Sequence, residues 1–193
     1  MTNVVEPREA VTRALAQLGR GIKQSVIRPM YESDIQAYLY HQLVLTGLDV
    51  SQIWVETQVC RVNTVSSRRR FDLVIGPLSE AQTCVEPEVV LQLKYFSWTF
   101  SEPQCRRRMK GILGSDFPSL GSVRENWDVP CFEILVDMKH VAQGLRGFLD
   151  HIWYGTPGWQ VVKKAGEDVG AGVVWISPKH ASDDALELLV GSL

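Results

Sequence analysis

Two apolar stretches of this chain each carry charge where an ordinary buried strand would carry none. One is Arg69-Arg70-Phe71-Asp72-Leu73-Val74-Ile75-Gly76; the other is Val89-Val90-Leu91-Gln92-Leu93-Lys94-Tyr95-Phe96. Both are rich in β-branched and aromatic residues and read as strands over 69–76 and 89–96. Side chains alternate across a sheet, so Phe71, Leu73 and Ile75 share one face and Asp72 takes the other. By the same rule Leu91, Leu93 and Tyr95 oppose Gln92 and Lys94. Asp72, Gln92 and Lys94 therefore converge if the two strands are neighbours. An acid inside an apolar strand is costly unless it is paired, hydrogen-bonded or metal-bound. Two readings follow from spacing alone: a structural Asp72–Lys94 ion pair, or a functional site.

The surrounding pattern is mixed α/β. Residues 7–25 space Val11, Leu15, Leu18 and Ile22 as an amphipathic helix, and Ile35, Leu39 and Leu43 do the same over 30–46. Glu32 lies on the apolar side of that second helix if it is inside it. A capping box over Ser33–Gln36 would instead leave it just outside. A strand over 53–62 forms a hairpin with 69–76, and 77–88, with Pro77 and Pro87, is a longer loop. Ser101-Glu102-Pro103-Gln104 opens a helix that buries Cys105, Met109, Ile112 and Leu113 and ends near Gly114. A strand over 131–138, a helix over 141–153, a hairpin of 159–163 with 172–177, and a helix over 182–190 complete the chain. Helices covering a central sheet are the natural result. The first 29 residues read as a helical extension of a domain spanning 30–193.

Arg70-Phe71-Asp72-Leu73-Val74-Ile75 and Leu91-Gln92-Leu93-Lys94-Tyr95, preceded by Tyr31-Glu32-Ser33-Asp34-Ile35-Gln36, resemble the PD-(D/E)XK nuclease superfamily. The likeness lies in the order: acidic helix, hairpin bearing the Asp, strand bearing the Lys, then a helix. It spans about residues 30–114. The resemblance implies a restriction endonuclease-like three-layer fold, a central mixed β-sheet flanked by helices, and Mg²⁺-dependent hydrolysis of DNA, with Mn²⁺ able to substitute. It makes Asp72, Gln92 and Glu32 metal ligands. Lys94 completes the catalytic set by orienting the attacking water and offsetting charge in the transition state. The family's usual acid is replaced here by Gln92, whose amide oxygen can still meet a hard cation but brings no charge. The alternative is a nuclease-like module that binds nucleic acid or protein without cleaving. Glu56 and Glu88 are nearby acids that could compensate.

Asp137-Met138-Lys139, with Asp128 upstream, repeats the Asp-x-Lys pattern and is the weaker candidate, because Asp137 closes its strand. The net charge of −2 supplies no overall attraction for a polyanion. A DNA partner must then be gripped locally, by Arg68, Arg69 and Arg70 and by Arg106, Arg107 and Lys110. A homodimer or a partner protein would enlarge the small reading surface. The cysteines at 60, 84, 105 and 131 form no CxxC pair. The expectation is buried thiols, with neither a zinc site nor a disulfide. The N-terminus lacks a signal-peptide pattern and no apolar run is long enough for a membrane span, so a soluble cytoplasmic protein is expected. There is no P-loop, GxGxxG, GxSxG or HExxH motif.

Overall fold

A computed structural model describes residues 5–60, 70–81, 83–138, 145 and 157–178. Strand phase sets its layers. The sheet has five strands in the order β1-β2-β3-β4-β5: β1 (Ile53–Thr57), β2 (Phe71–Ile75), β3 (Val89–Phe96), β4 (Cys131–Asp137) and β5 (Gly172–Ile176). β1, β2 and β3 run antiparallel, whereas β3, β4 and β5 are parallel, so the sheet is mixed. Leu73, Ile75, Leu91, Leu93, Ile134 and Val136 face one helical layer, made of α1 (Pro7–Lys23) and α2 (Glu32–Leu45). Ala10, Val11, Ala14, Leu15, Leu18 and Ile22 of α1 join this core, so α1 is part of the layer that covers the sheet.

The opposite face carries Val74, Val90, Phe96, Cys131 and Leu135, and Phe71 packs on this side too, at the strand's end. The covering helices are α3 (Glu102–Gly111), α4 (Phe117–Trp127) and α5 (Gly158–Val169). The three-layer α/β architecture is as the sequence led us to expect.

Three local expectations need correction. The helix opened by Ser101 does not stop at Gly114. A π turn over Ile112–Asp116 carries it into α4. Pro118 has no N–H to donate and its ring crowds the carbonyl four residues back, which a π turn relieves. Residues 159–163 are not a strand but part of α5. Gly158, Val161, Val162 and Gly166 are buried at intervals of three, one and four, a helical stripe, and Gly170 ends the helix at φ 68°. Finally, β1 ends at Thr57, not 62: Gln58 O accepts from Val85 N (2.9 Å) and Cys60 N donates to Val85 O (3.0 Å), so the chain leaves β2 for the 77–88 loop. The expected helices over 141–153 and 182–190 lie outside the described residues, save Leu145, which is buried.

That departure of β1 brings Cys60 to Cys84, and the two are joined in a disulfide across 24 residues of sequence. The expectation of four thiols is thereby overturned; Cys105 and Cys131 remain thiols, both buried. Burial pushes the Cys131 thiol up to about 12, which leaves it unreactive. Closing a loop of this length stabilises the fold by ~3 kcal/mol in the chain-entropy picture. The Cys60→Ser/Cys84→Ser double variant is expected to lose that amount in a urea melt; an unchanged midpoint would show the clip to be energetically idle.

Candidate active site

The β2–β3 ladder pairs Ile75 with Val89, Val74 with Val90 and Leu73 with Leu91, and stops there. At Asp72 and Gln92 the two strands fork. Beyond the fork, backbone N–H groups of β3 still need acceptors, because a buried unpaired amide is costly. Carboxylates fill the role. Leu93 N donates to Asp72 Oδ2 at 2.6 Å, and Tyr95 N donates to Glu32 Oε2 at 3.0 Å. The Gln92 amide donates to the same Asp72 oxygen at 2.5 Å. The sequence phase of Asp72 and Gln92 is therefore realised as direct contact.

Glu32 is the first residue of α2. The Asp34 carboxylate accepts from Met30 N (2.8 Å) and Tyr31 N (2.9 Å), which starts the helix early enough to include Glu32. One turn later, Gln36 donates to the Asp72 carbonyl at 2.7 Å and to Glu56 at 3.3 Å. Glu56 falls between Val55 and Thr57, whose partners are Leu73 and Phe71, so it lies across from Asp72. Its φ of 49° breaks the β1 ladder at that point. Glu88 stands exposed before β3, at the strand end away from Lys94.

Burial raises the Asp72 carboxyl to about 7. The Leu93 N–H and the Lys94 charge act against this, while Glu32 and Glu56 add to it. Asp72 is thus a desolvated acid in a negative neighbourhood, of the kind found at functional sites.

Lys94 does not pair with Asp72. Its ammonium lies 3.2 Å from Asp116 Oδ2 and donates to Leu93 O at 3.0 Å. Burial by itself would depress its pKa, but Asp116, then Glu133, Glu32 and Asp72, outweigh that and hold it above the ordinary lysine value. Glu133 is fully buried and aligns with Gln92 in the parallel β3–β4 register. Asp116 and Glu133 were both missed from sequence. A signal existed for Asp116, which stands four and seven residues before Leu120 and Val123 on one apolar stripe.

Of the basic candidates, Arg70, Arg107 and Lys110 are exposed, and Arg106 pairs with Glu102 at 2.9 Å, one turn earlier on the same helix. Arg68 and Arg69 lie outside the described residues. The arginine that reaches the site is Arg108. It contacts Glu32 at 2.8 Å and sits 5.2 Å above the centroid of the Phe100 ring. The two acids of the second Asp-x-Lys pattern stand apart. Asp128 caps α4 at φ 50° and pairs with Arg124 at 3.4 Å, whereas Asp137 is buried at the far end of β4. A strand of that length holds the two acids ~20 Å apart. Lys139 lies outside the described residues.

The oxygens gathered at the fork suit a hard cation. Asp72 and Glu32 offer carboxylates, and the Gln92 amide oxygen is buried and accepts no hydrogen bond from the described residues. Among the described residues, no three His, Cys, Asp or Glu side chains form a ready cation cage. Mg²⁺ does not require one, because it retains several waters and takes one or two protein oxygens with substrate phosphate. Asp72, Glu32 and Gln92 would thus hold Mg²⁺ only with water and phosphate completing its shell.

No family model matches the chain, and no curated protein matches it. Among solved structures it is similar to Pyrococcus furiosus SfsA in complex with Ca²⁺, with a TM-score of 0.36 and 11% identity. That alignment covers 75% of this chain and 57% of SfsA. Among the described residues, no helix is long and apolar enough to cross a membrane.

Proposed function

We propose that this chain is a metal-dependent phosphodiesterase of the PD-(D/E)XK type that hydrolyses DNA through Asp72, Gln92, Lys94 and Glu32. One observation carries the reading. Where β2 and β3 fork, Asp72 and Gln92 touch, Lys94 follows on the same face, and α2 delivers Glu32 to the same strand. Asp72 and Glu32 would hold Mg²⁺ or Mn²⁺, with the Gln92 amide oxygen as a neutral third donor. When bound, the ion supplies Lewis-acid charge and an acidified water.

The chain's own groups do the rest. Gln92 and the Leu93 N–H fix the Asp72 carboxylate in one orientation. Asp116 and Leu93 O hold the Lys94 ammonium in place, as a fixed positive charge for a phosphate oxygen. Arg108, anchored on Glu32 and Phe100, offers a second cation at the rim. The test is cleavage of single- and double-stranded DNA with Mg²⁺ or Mn²⁺. The wild-type chain should cut, and Asp72→Asn and Glu32→Gln should each lower the rate by about 100-fold or more. Equal rates in all three would sink the assignment.

Gln92 supports a second reading, a nuclease-like module that no longer cleaves. It donates to Asp72 where the family pattern would place another negative charge. Wild-type protein that neither cleaves nor takes up Mn²⁺ in calorimetry, with cleavage appearing in Gln92→Glu, would establish this second reading.

A further inference from the structure

Two aromatic side chains next along the chain from Glu32 and from the end of β3 are left uncovered by the described fold. Tyr31, immediately before Glu32, is 65% exposed, and Trp98, three residues beyond Tyr95, is 53% exposed. Neither sits on a loose segment. Asp34 accepts from the Tyr31 N–H, and the Tyr95 hydroxyl donates to Pro29 O at 2.7 Å, tying the 29–31 turn to β3. The Trp98 turn is closed by Phe100 N donating to Ser97 O at 3.1 Å, and by the Ser97–Thr99 hydroxyl contact at 3.1 Å. Arg108 joins the two turns, since it bonds to Glu32 on one side and lies over Phe100 on the other. Two exposed aromatic side chains thus stand on turns closed by hydrogen bonds, with the Arg108 guanidinium tied to both turns.

Exposed aromatic rings can serve as stacking surfaces for a ligand. The neighbouring charge narrows the choice. Arg108 lies between the turns, Arg107 and Lys110 are exposed on α3, and Arg70 is exposed at the mouth of β2. Aromatic rings set among cations suit unpaired bases on a phosphate backbone, because every base offers a π-face and every phosphate a negative charge. Paired bases in an intact duplex hide those faces.

We infer that Tyr31 and Trp98 form a stacking platform that makes single-stranded DNA, or a frayed end, the preferred ligand of this site. The inference rests on the nuclease reading, because the stacked strand is what would present its phosphate to Asp72 and Lys94. Its test, however, is binding without cleavage. The full chain in EDTA is titrated with a twelve-nucleotide oligothymidylate and with a blunt duplex of equal length, following tryptophan fluorescence. Wild type should bind the single strand at least ~10-fold more tightly than the duplex. Trp98→Ala and Tyr31→Ala should each weaken the single strand by ~5- to 100-fold, with duplex affinity unchanged and Trp98→Phe largely restored. Both side chains are more than half exposed, so thermal midpoints should hold within about a degree or two.

Equal affinity for both ligands, or an unaffected double alanine variant, overturns the inference even if Asp72-dependent cleavage is found. Self-association of the wild type that Trp98→Ala abolishes would assign the patch to a second copy, and overturns it too. Single-strand preference through Trp98 in a protein that never cleaves sustains the platform while the catalytic reading fails.

Discussion

Asp72→Asn is expected to make the metal-free protein more stable at pH 8 while abolishing cleavage. Burial raises the Asp72 carboxyl from 3.8 to about 7. A carboxyl that binds its proton more tightly when folded favours the folded state at low pH. That advantage is full below 3.8 and is lost as pH rises through about 7. The wild-type chain should therefore lose about 4 kcal/mol between pH 3.8 and 8 from this one group, in the absence of metal. Asparagine carries no charge to desolvate, and its carbonyl can accept from both Leu93 N and the Gln92 amide as Asp72 Oδ2 does. Urea melts in EDTA should put Asp72→Asn a few kcal/mol above wild type at pH 8, with a narrower gap at pH 5. Adding Mg²⁺ should close the gap by stabilising only the wild type. A variant less stable than wild type at pH 8 would mean that Asp72 serves the fold as a structural anion.

Lys94→Met should fail in the opposite direction. The Lys94 side chain is 17% exposed and its partner Asp116 only 6%, and Glu133 is fully buried nearby. Methionine keeps the aliphatic stem but removes the ammonium, leaving two carboxylates in a poorly solvated layer. Removing one member of a buried pair costs about 3–5 kcal/mol, mostly through the charge left behind. Adding Asp116→Asn should return a large part of that stability, because one of the two carboxylates that lose the Lys94 charge goes with it. Cleavage should return in neither variant. A double-mutant cycle in chemical denaturation reads the coupling directly. Additive losses would show that Asp116 and Lys94 are neighbours without being energetic partners.

What the sequence revealed and what it hid divide along physical lines. Strand phase has period two, so the shared face of Asp72, Gln92 and Lys94 was legible, as was the layered α/β fold. Where a ladder ends is a tertiary matter, and nothing in Phe71–Ile75 or Val89–Phe96 announces that the strands part at Asp72 and Gln92. The partner of Lys94 was missed for a local reason. Gly114 reads as a helix end, yet the chain runs on through a π turn into Pro118 and α4 and so presents Asp116. Glu32 was ambiguous because a capping box over Ser33–Gln36 would start the helix after it, and Asp34 settles the start by taking the Met30 and Tyr31 amides instead. The Cys60–Cys84 bond carries no spacing signature. It depends on β1 turning away after Thr57, a course that alternating residues through position 62 conceal.

The forked strands bind two tasks into the same atoms. Asp72 and Glu32 each complete the backbone of β3, at Leu93 and at Tyr95, before any substrate arrives. A descendant that had abandoned chemistry would still need acceptors there, and selection for folding would go on retaining both acids. Their persistence among kindred chains would accordingly testify to architecture, and an inherited pair of acids would be a poor witness to whether such a chain cleaves anything.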